Sequence, residues 1–416
     1  VANAQDFRRG ELMKLRLTKI GAVAAASIMA LSGLAIVAGS ATANASAKLP
    51  TYEVGFEGPL SGGNAATGIY EKFGAQLAVN EWNANKARKF NVKLVPGDDQ
   101  GDPTIAPSVA TGFALNSNLV AVVGPAFSGA TVAGLGIYGP NHIAEVSPSA
   151  TRVSITTKDP TASPSGPLNI YHNFFRVVAN DGVQGPADGT YLQKHYGTGK
   201  VLVISDTSTY GVGIATQVAN AVKAAGGSIA NGGQILALPY SNACTAGGTG
   251  TSDAVTASLT GVSAVFYGGY YCDFAQVIDN LVGTQHFTGA IMSGDGSDEP
   301  QLITSLSNKA DGNGVLVTCA CSSATPAAWT KAYDKLSGFS SPGPYSAESF
   351  DAANVIINAM AHAKKITRAN VLAEVAKLTW KGITKTITFN KAGDVAGSAI
   401  FVSKDENGTL VQLGLE

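Results

Sequence analysis

The chain has few of the residues from which most catalytic and metal centres are built. Its 416 residues include five histidines, four cysteines and three tryptophans. The histidines are scattered, and none forms a metal-binding spacing. Charged residues make up only 14% of the chain, and the formal net charge is −1. With no Lys/Arg run, a nucleic acid or an anionic membrane is not the expected partner. No serine sits in a GxSxG elbow, and no phosphate loop ends in Gly-Lys-Ser/Thr. The stretch Gly134–Gly139 matches a dinucleotide-binding pattern, but it lies inside a helix-like segment that runs into Pro140. Asp98, Asp99 and Asp102 cluster without the calcium-loop pattern and read as a solvated turn before Pro103. No nucleophile has a base at hand, so neither an enzyme nor a cofactor or metal site is expected.

What the chain has is alternation. Strand-like runs at Tyr52–Phe56, Phe90–Val95 and Leu119–Val123 alternate with helix-like runs at Ala66–Asn85, Thr104–Asn116 and Thr131–Tyr138. Ile143–Val146 and Phe174–Val178 follow as strands. A second series begins at Val201–Ile204 and continues with a helix over Gly211–Ala225, where Ile214, Val218 and Val222 share one face. Ile235–Leu238, Ala264–Tyr267, Ala290–Met292 and Val315–Thr318 are its further strands. Helices are expected near Ala327–Leu336 and over Ser346–Ala363, and strands at Thr386–Phe389 and Ala399–Val402. This βαβα rhythm predicts an α/β fold with parallel sheets and helices on both faces. Two successive series predict two doubly wound lobes.

The N-terminus reads as a targeting segment. Lys14, Arg16 and Lys19 precede an apolar run from Ile20 to Val37, and Ala43-Asn44-Ala45 fits the small-x-small cleavage rule. Residues 1–12 fall outside this pattern, and Met13 is the more natural start. No cysteine marks a lipid anchor, so an exported, cleaved and unlipidated protein is expected, periplasmic or extracellular. Cys244, Cys272, Cys319 and Cys321 remain after cleavage. An even set in an exported chain favours disulfides, with three pairings possible. Cys244–Cys272 is preferred because each follows a strand. A Cys319–Cys321 bond needs a sharp local bend.

Short polar motifs follow the strands: Gly58–Gly62, Ser128–Thr131, Ser147–Thr151, Thr209–Gly211, Gly268–Tyr271 and Ser293–Asp295. In open α/β sheets this carboxyl edge is where ligands bind. Ser128 opens a helix. It serves either as a cap or as a hydroxyl added to free amides that favour a carboxylate. Ser149 and Thr151 form a turn with a capping threonine, or else offer a carbonyl and hydroxyls to an ammonium. Asp295, between two glycines, is a turn residue or a counter-charge for an ammonium. Tyr210, Tyr270 and Tyr345 stand at loop starts beside glycine or proline.

These segments, in this order and spacing, resemble the solute-binding proteins of branched-chain amino acid ABC importers, the leucine/isoleucine/valine-binding type. Asp98-Asp99 with Asp102-Pro103, Phe175-Arg176, Gln184-Gly185-Pro186 and Gly343-Pro344-Tyr345 extend the likeness across nearly the whole exported chain. The resemblance implies the type I periplasmic-binding fold, with two lobes joined by three hinge crossings. Residues 48–178 plus 319–387 would form the N-terminal lobe, and residues 179–318 plus 388–416 the C-terminal lobe. It implies a monomer that takes an amino acid in the interlobe cleft and delivers it to a membrane permease. Ser128, the Thr151 amide and the Tyr270 hydroxyl would hold the ligand carboxylate. Ser149, Thr151 and Asp295 would hold its ammonium, with Tyr210, Tyr345 and Thr67 near its side chain. The family commonly has Glu at Asp295, an aromatic ring at Thr67, and a disulfide where this chain has Gly101 and Phe127. Thr67 therefore predicts a wider, more polar side-chain pocket. The same fold binding an amide, urea or aromatic acid, or presenting ligand to a sensor, remains the alternative.

Overall fold

A computed structural model describes residues 48–197, 199–239, 241, 252–322, 324–397 and 399–415. The targeting segment lies outside these residues. Five strands form the first sheet: β1 (Thr51–Gly58), β2 (Asn91–Asp98), β3 (Leu119–Val123), β4 (Ala144–Ser147) and β5 (Phe174–Arg176). Their order is β2-β1-β3-β4-β5, and every pairing is parallel. β3 is central, and all five of its residues, Leu-Val-Ala-Val-Val, are buried. An uninterrupted apolar run is what a parallel strand covered on both faces requires. Helices α1 (Ala65–Ala84), α2 (Ala106–Leu115) and α3 (Ser128–Tyr138) connect these strands. The Gly134–Gly139 glycines fall within α3 and at its end, not at a strand-to-helix turn.

Two further helices, α4 (Asp181–Tyr196) and α5 (Thr209–Ala224), open the second series. Its sheet comprises β6 (Lys200–Ser205), β7 (Ser228–Ile229), β8 (Leu236–Ala237), β9 (Val262–Gly268), β10 (Ala290–Ser293) and β11 (Leu316–Cys319). These strands pair in parallel. A small antiparallel hairpin, β12 (Thr379–Lys381) with β13 (Thr386–Thr388), stands apart. The last two strands, β14 (Phe401–Asp405) and β15 (Leu410–Leu415), join β11 in antiparallel pairing, so the second sheet is mixed rather than wholly parallel. A hairpin arriving from the tail can reach a free sheet edge without a crossover helix.

Helix α4 was not evident in the sequence, because Gly182, Gly185, Pro186 and Gly189 obscure its pattern. The packing explains them: a Cβ at Gly185 would lie 2.3 Å from the Gln217 Cβ of α5. Close helix approach, not helix propensity, sets these residues. Asn180 starts the helix by accepting a hydrogen bond from the Gly182 amide.

The core of the first sheet also takes Trp329, Tyr333, the helix Ser346–His362 and residues up to Phe389. The chain therefore returns to the first sheet after β11. Three passages between the sheets, at Val178-Ala179, Cys319-Ala320 and Ile400, pack together around Tyr345. Cys319 and Cys321 are bonded to each other within the second passage. Cys272 is disulfide-bonded as well; the expected Cys244–Cys272 pairing involves Cys244, which lies outside the described residues. Among the described residues, no helix is long and apolar enough to cross a membrane.

Candidate functional site

Two loops at the carboxyl edge of the first sheet form one wall. Helix α3 begins at Ser128, with Phe127 in extended backbone at its cap position and no capping side chain. The cap reading of Ser128 is thereby overturned, since its Oγ accepts from the Arg152 amide at 3.2 Å. The loop after β4 is laced to the loop after β3. Ser147 Oγ donates to the Pro125 carbonyl at 2.6 Å, and Ser149 Oγ donates to that of Ala126 at 2.8 Å. These bonds fix the loop after β4 against the loop that leads into α3.

The second sheet supplies the facing wall. Tyr210 lies at the start of α5, Tyr270 caps the helix Tyr271–Ile278, and Asp295 follows β10. The Asp295 carboxylate accepts from the Tyr210 hydroxyl and from the Tyr345 hydroxyl, each at 2.7 Å. Tyr345, preceding the helix Ser346–His362, has a φ of 60°. Such a conformation is uncommon for a bulky residue and points to a functional constraint.

Thr67, Ser128, Ser149, Tyr210, Tyr270, Asp295 and Tyr345 surround one cavity together with Ala126, Phe127 and Gly296. Thr151 does not line it: its carbonyl accepts from the Asp181 amide at the start of α4. Bonds cross between the walls. The Thr67 hydroxyl donates to Glu299 at 2.7 Å, the Tyr271 hydroxyl to the Gly63 carbonyl at 2.7 Å, and Arg152 Nη1 to the Thr209 carbonyl at 2.6 Å. The Phe127 ring stacks on Tyr270 with centroids 4.1 Å apart.

The expected wide, polar side-chain pocket is not found. The space left is about 20 Å³, room for about one water molecule. Thr67 gives its hydroxyl to Glu299, and the Phe127 ring, stacked on Tyr270, lines the same cavity. Phe127, Glu299 and Arg152 were the residues that sequence reasoning missed as cleft groups. Phe127 stands where the family commonly has a disulfide cysteine, and its place directly before a Ser-Gly helix start is the signal that the sequence offers.

The protein holds several buried carboxyl groups, of which Asp295 lines the cavity. Burial pushes Asp181 up to about 8, with the Asp295 charge adding to it and the Thr151 hydroxyl opposing. Burial pushes Glu299 up to about 8 against the Thr67 bond, and raises Glu348 to about 7 against the Lys385 charge. Asp99 and Asp206 reach about 7 for the same first reason. Asp295 is raised by burial and restrained by its two tyrosines. The unfolded chain releases these protons near pH 4, whereas the folded chain holds them to about 7–8. Their contribution to stability is present below the unfolded value and is lost as pH rises through the folded values. Melting should therefore occur at least about 4 °C lower at pH 8 than at pH 5. A flat or rising melting temperature from pH 5 to pH 8, followed by circular dichroism, would contradict this.

Asp298 lies near the sulfurs of Cys319 and Cys321, but those sulfurs are bonded to each other. The group therefore offers a metal one carboxylate and no thiolate.

The family model described as "periplasmic binding protein" matches residues 51–408. The "Leu/Ile/Val-binding protein homolog 1" of Brucella suis biovar 1 is 28% identical over 256 residues, covering 60% of this chain and 62% of the relative. The match thus spans about three-fifths of that relative's length. Among solved structures, a leucine binding protein LivK from Thermotoga maritima superposes with a TM-score of 0.74 at 22% identity, covering 88% of this chain and 98% of the other. The branched-chain amino acid transporter substrate-binding protein LivJ from Streptococcus pneumoniae, in complex with isoleucine, gives 0.72 at 24% identity, covering 88% and 99%. These likenesses show the same fold, and the match over residues 51–408 shows that this chain belongs to the periplasmic binding protein family.

Proposed function

We propose that the protein is an exported solute receptor that closes two lobes on a small amino acid and hands it to an ABC importer. The chain changes lobe at the three passages, so residues 48–178 with 320–399 form one lobe and 179–319 with 400–416 the other; the third boundary falls later than the expected 387, because Phe389 and Asp394 pack on the first sheet. The observation that carries the reading is the polarity of the cavity. A helix start without a side-chain cap, at Ser128, and a buried carboxylate, Asp295, line one small space. An α-amino acid has the complementary pair of charges. Ser128 and Tyr270 bind its carboxylate; Asp295 and the Ser149 carbonyl bind its ammonium. Thr151 acts from behind, holding α4. Closure is a two-state motion that the ligand biases. The reading requires no turnover, since each polar group has a binding role.

The relatives named for leucine, isoleucine and valine make branched-chain ligands the first to test. Phe127 sets the size limit, because its ring stands where a bulky side chain would lie. Thermal shift against single amino acids tests both points. A ligand at a hundred times its Kd adds about 2.7 kcal/mol to stability. Phe127→Ala should improve binding of leucine or isoleucine about tenfold relative to alanine. A loss of leucine binding in that variant would instead make Phe127 part of the side-chain wall.

One observation favours a second reading. Asp295 already accepts two tyrosine hydroxyls, and burial raises its pKa. A ligand without an ammonium, such as an amide, urea or an aromatic acid, would suit a neutral Asp295. A shift seen only with those ligands would establish it. Delivery to an importer, as against a sensor, is tested by uptake in cells lacking the protein.

A further inference from the structure

A second groove, of about 580 Å³, opens at the amino-terminal edge of the first sheet, the edge away from the cleft loops. Its floor is aromatic. Trp82, near the end of α1, packs on Phe90 with ring centroids 4.8 Å apart, and Tyr52 of β1 meets Phe90 edge-on at 6.0 Å. Trp82 is held by a 3.0 Å bond from its Nε1 to the Phe90 carbonyl. The rim is basic: Lys89 stands on one side, and Lys364 and Lys365, just beyond the helix Ser346–His362, on the other. All three lysines are exposed. Among the described residues, no acidic side chain lines the groove and none pairs with these lysines. The chain has no basic run; the fold brings together cations that lie far apart in sequence.

We propose that this groove binds a small aromatic anion, separately from the interlobe cleft. The size is that of a small-molecule site, and such sites combine an apolar lining with a few placed polar groups. The partly exposed Trp82 ring, backed by the buried Phe90, selects a planar apolar body. Three exposed ammonium groups on the rims, with no carboxylate among the lining residues, give the mouth a positive potential that favours an acidic substituent. A neutral aromatic satisfies only the floor, and an aliphatic acid only the rim.

The probes that test this are 8-anilinonaphthalene-1-sulfonate and its uncharged analogue N-phenyl-1-naphthylamine. The purified protein should bind one sulfonate probe per chain, read by probe emission and by energy transfer from tryptophan. The triple variant Lys89→Gln, Lys364→Gln, Lys365→Gln should bind it about tenfold more weakly and with less dependence on salt, because exposed charges are screened. Binding of the uncharged probe should be weaker than that of the sulfonate in the parent and unchanged in the variant. Trp82→Phe should remove most of the energy transfer. These three positions are exposed, so the triple variant should melt with the parent. Equal binding of both probes, an unchanged sulfonate affinity in the triple variant, or energy transfer that survives Trp82→Phe would each overturn the proposal. So would lysine-dependent sedimentation with phosphatidylglycerol vesicles in the absence of one-to-one probe binding, which would assign the surface to a membrane. Competition by residues preceding Lys48, seen as probe binding only after they are removed, would assign the groove to the chain itself.

Discussion

Asp295→Asn should weaken amino acid binding by about a hundredfold or more while leaving the fold intact. Asn keeps the size and shape of Asp295 and still offers one oxygen to Tyr210 or Tyr345, whose hydroxyls now sit 2.7 Å from the carboxylate. What it loses is the negative charge. An ammonium brought against Asp295, a carboxylate buried between two tyrosines, gives up its water, and only a charge-assisted bond offsets that. Losing the partner of a buried charge costs about 2–5 kcal/mol, and a hundredfold corresponds to about 2.7 kcal/mol. Stability should change far less, and above neutral pH it should rise, because burial already raises the Asp295 pKa and an amide removes that burden. For the same reason, parent affinity for an amino acid should fall as the solution is made acidic and Asp295 takes up a proton. Calorimetric titration of parent and variant decides this. If the variant binds an α-amino acid as tightly as the parent, the ammonium is held elsewhere. If it binds an amide or an aromatic acid unchanged, the ligand has no ammonium.

The strand-to-loop grammar that placed Asp295 was readable before any coordinates. An apolar run such as Leu119–Val123, five residues long and rich in valine, suits a covered strand, and polar residues at the carboxyl end of such a strand fall at the edge where α/β sheets bind. Seven of the eight expected residues line one cavity for that reason. The exceptions have physical causes. Thr151 was placed by its neighbours in sequence, but its contacts depend on α4, a helix hidden by glycines chosen for packing. The pocket width was inferred from Thr67 alone, whereas the volume depends on what a residue 60 positions later, Phe127, does with its ring. The antiparallel edge of the second sheet was hidden because strand direction is set by connection, and a pattern of apolar residues carries no direction. The basic rim of the groove was invisible because Lys89 and Lys365 become neighbours only in the fold.

Arg176→Met should be the most damaging single change outside the cleft. Arg176 is fully buried at the end of β5, and its guanidinium is used on every side. It donates to Asp394 at 2.7 Å, to the Ala150 carbonyl at 2.9 Å, to the Arg152 carbonyl at 3.0 Å and to the Thr156 hydroxyl at 2.5 Å. It therefore ties the loop carrying Ser149 both to the sheet and to the turn before the third passage between the sheets. Methionine fits the space but leaves the Ala150 and Arg152 carbonyls without this donor, and the Asp394 carboxylate with the Thr156 hydroxyl but no counter-charge. Breaking a buried ion pair in this one-sided way costs about 3–5 kcal/mol, which lowers the melting temperature by about 4–6 °C in a chain of this size. Lysine should recover little, because one ammonium cannot reproduce the planar fork that meets four acceptors. Asp394→Asn should cost less than Arg176→Met, since the arginine keeps its three other acceptors. The order Arg176→Met, then Arg176→Lys, then Asp394→Asn in thermal melts would establish the guanidinium as the anchor of the Ser149 loop. If Asp394→Asn proves as damaging as Arg176→Met, the ion pair outweighs the backbone bonds. In either case ligand affinity at temperatures where the variants remain folded should fall in the same order, because the wall bearing Ser149 is only as fixed as Arg176 holds it.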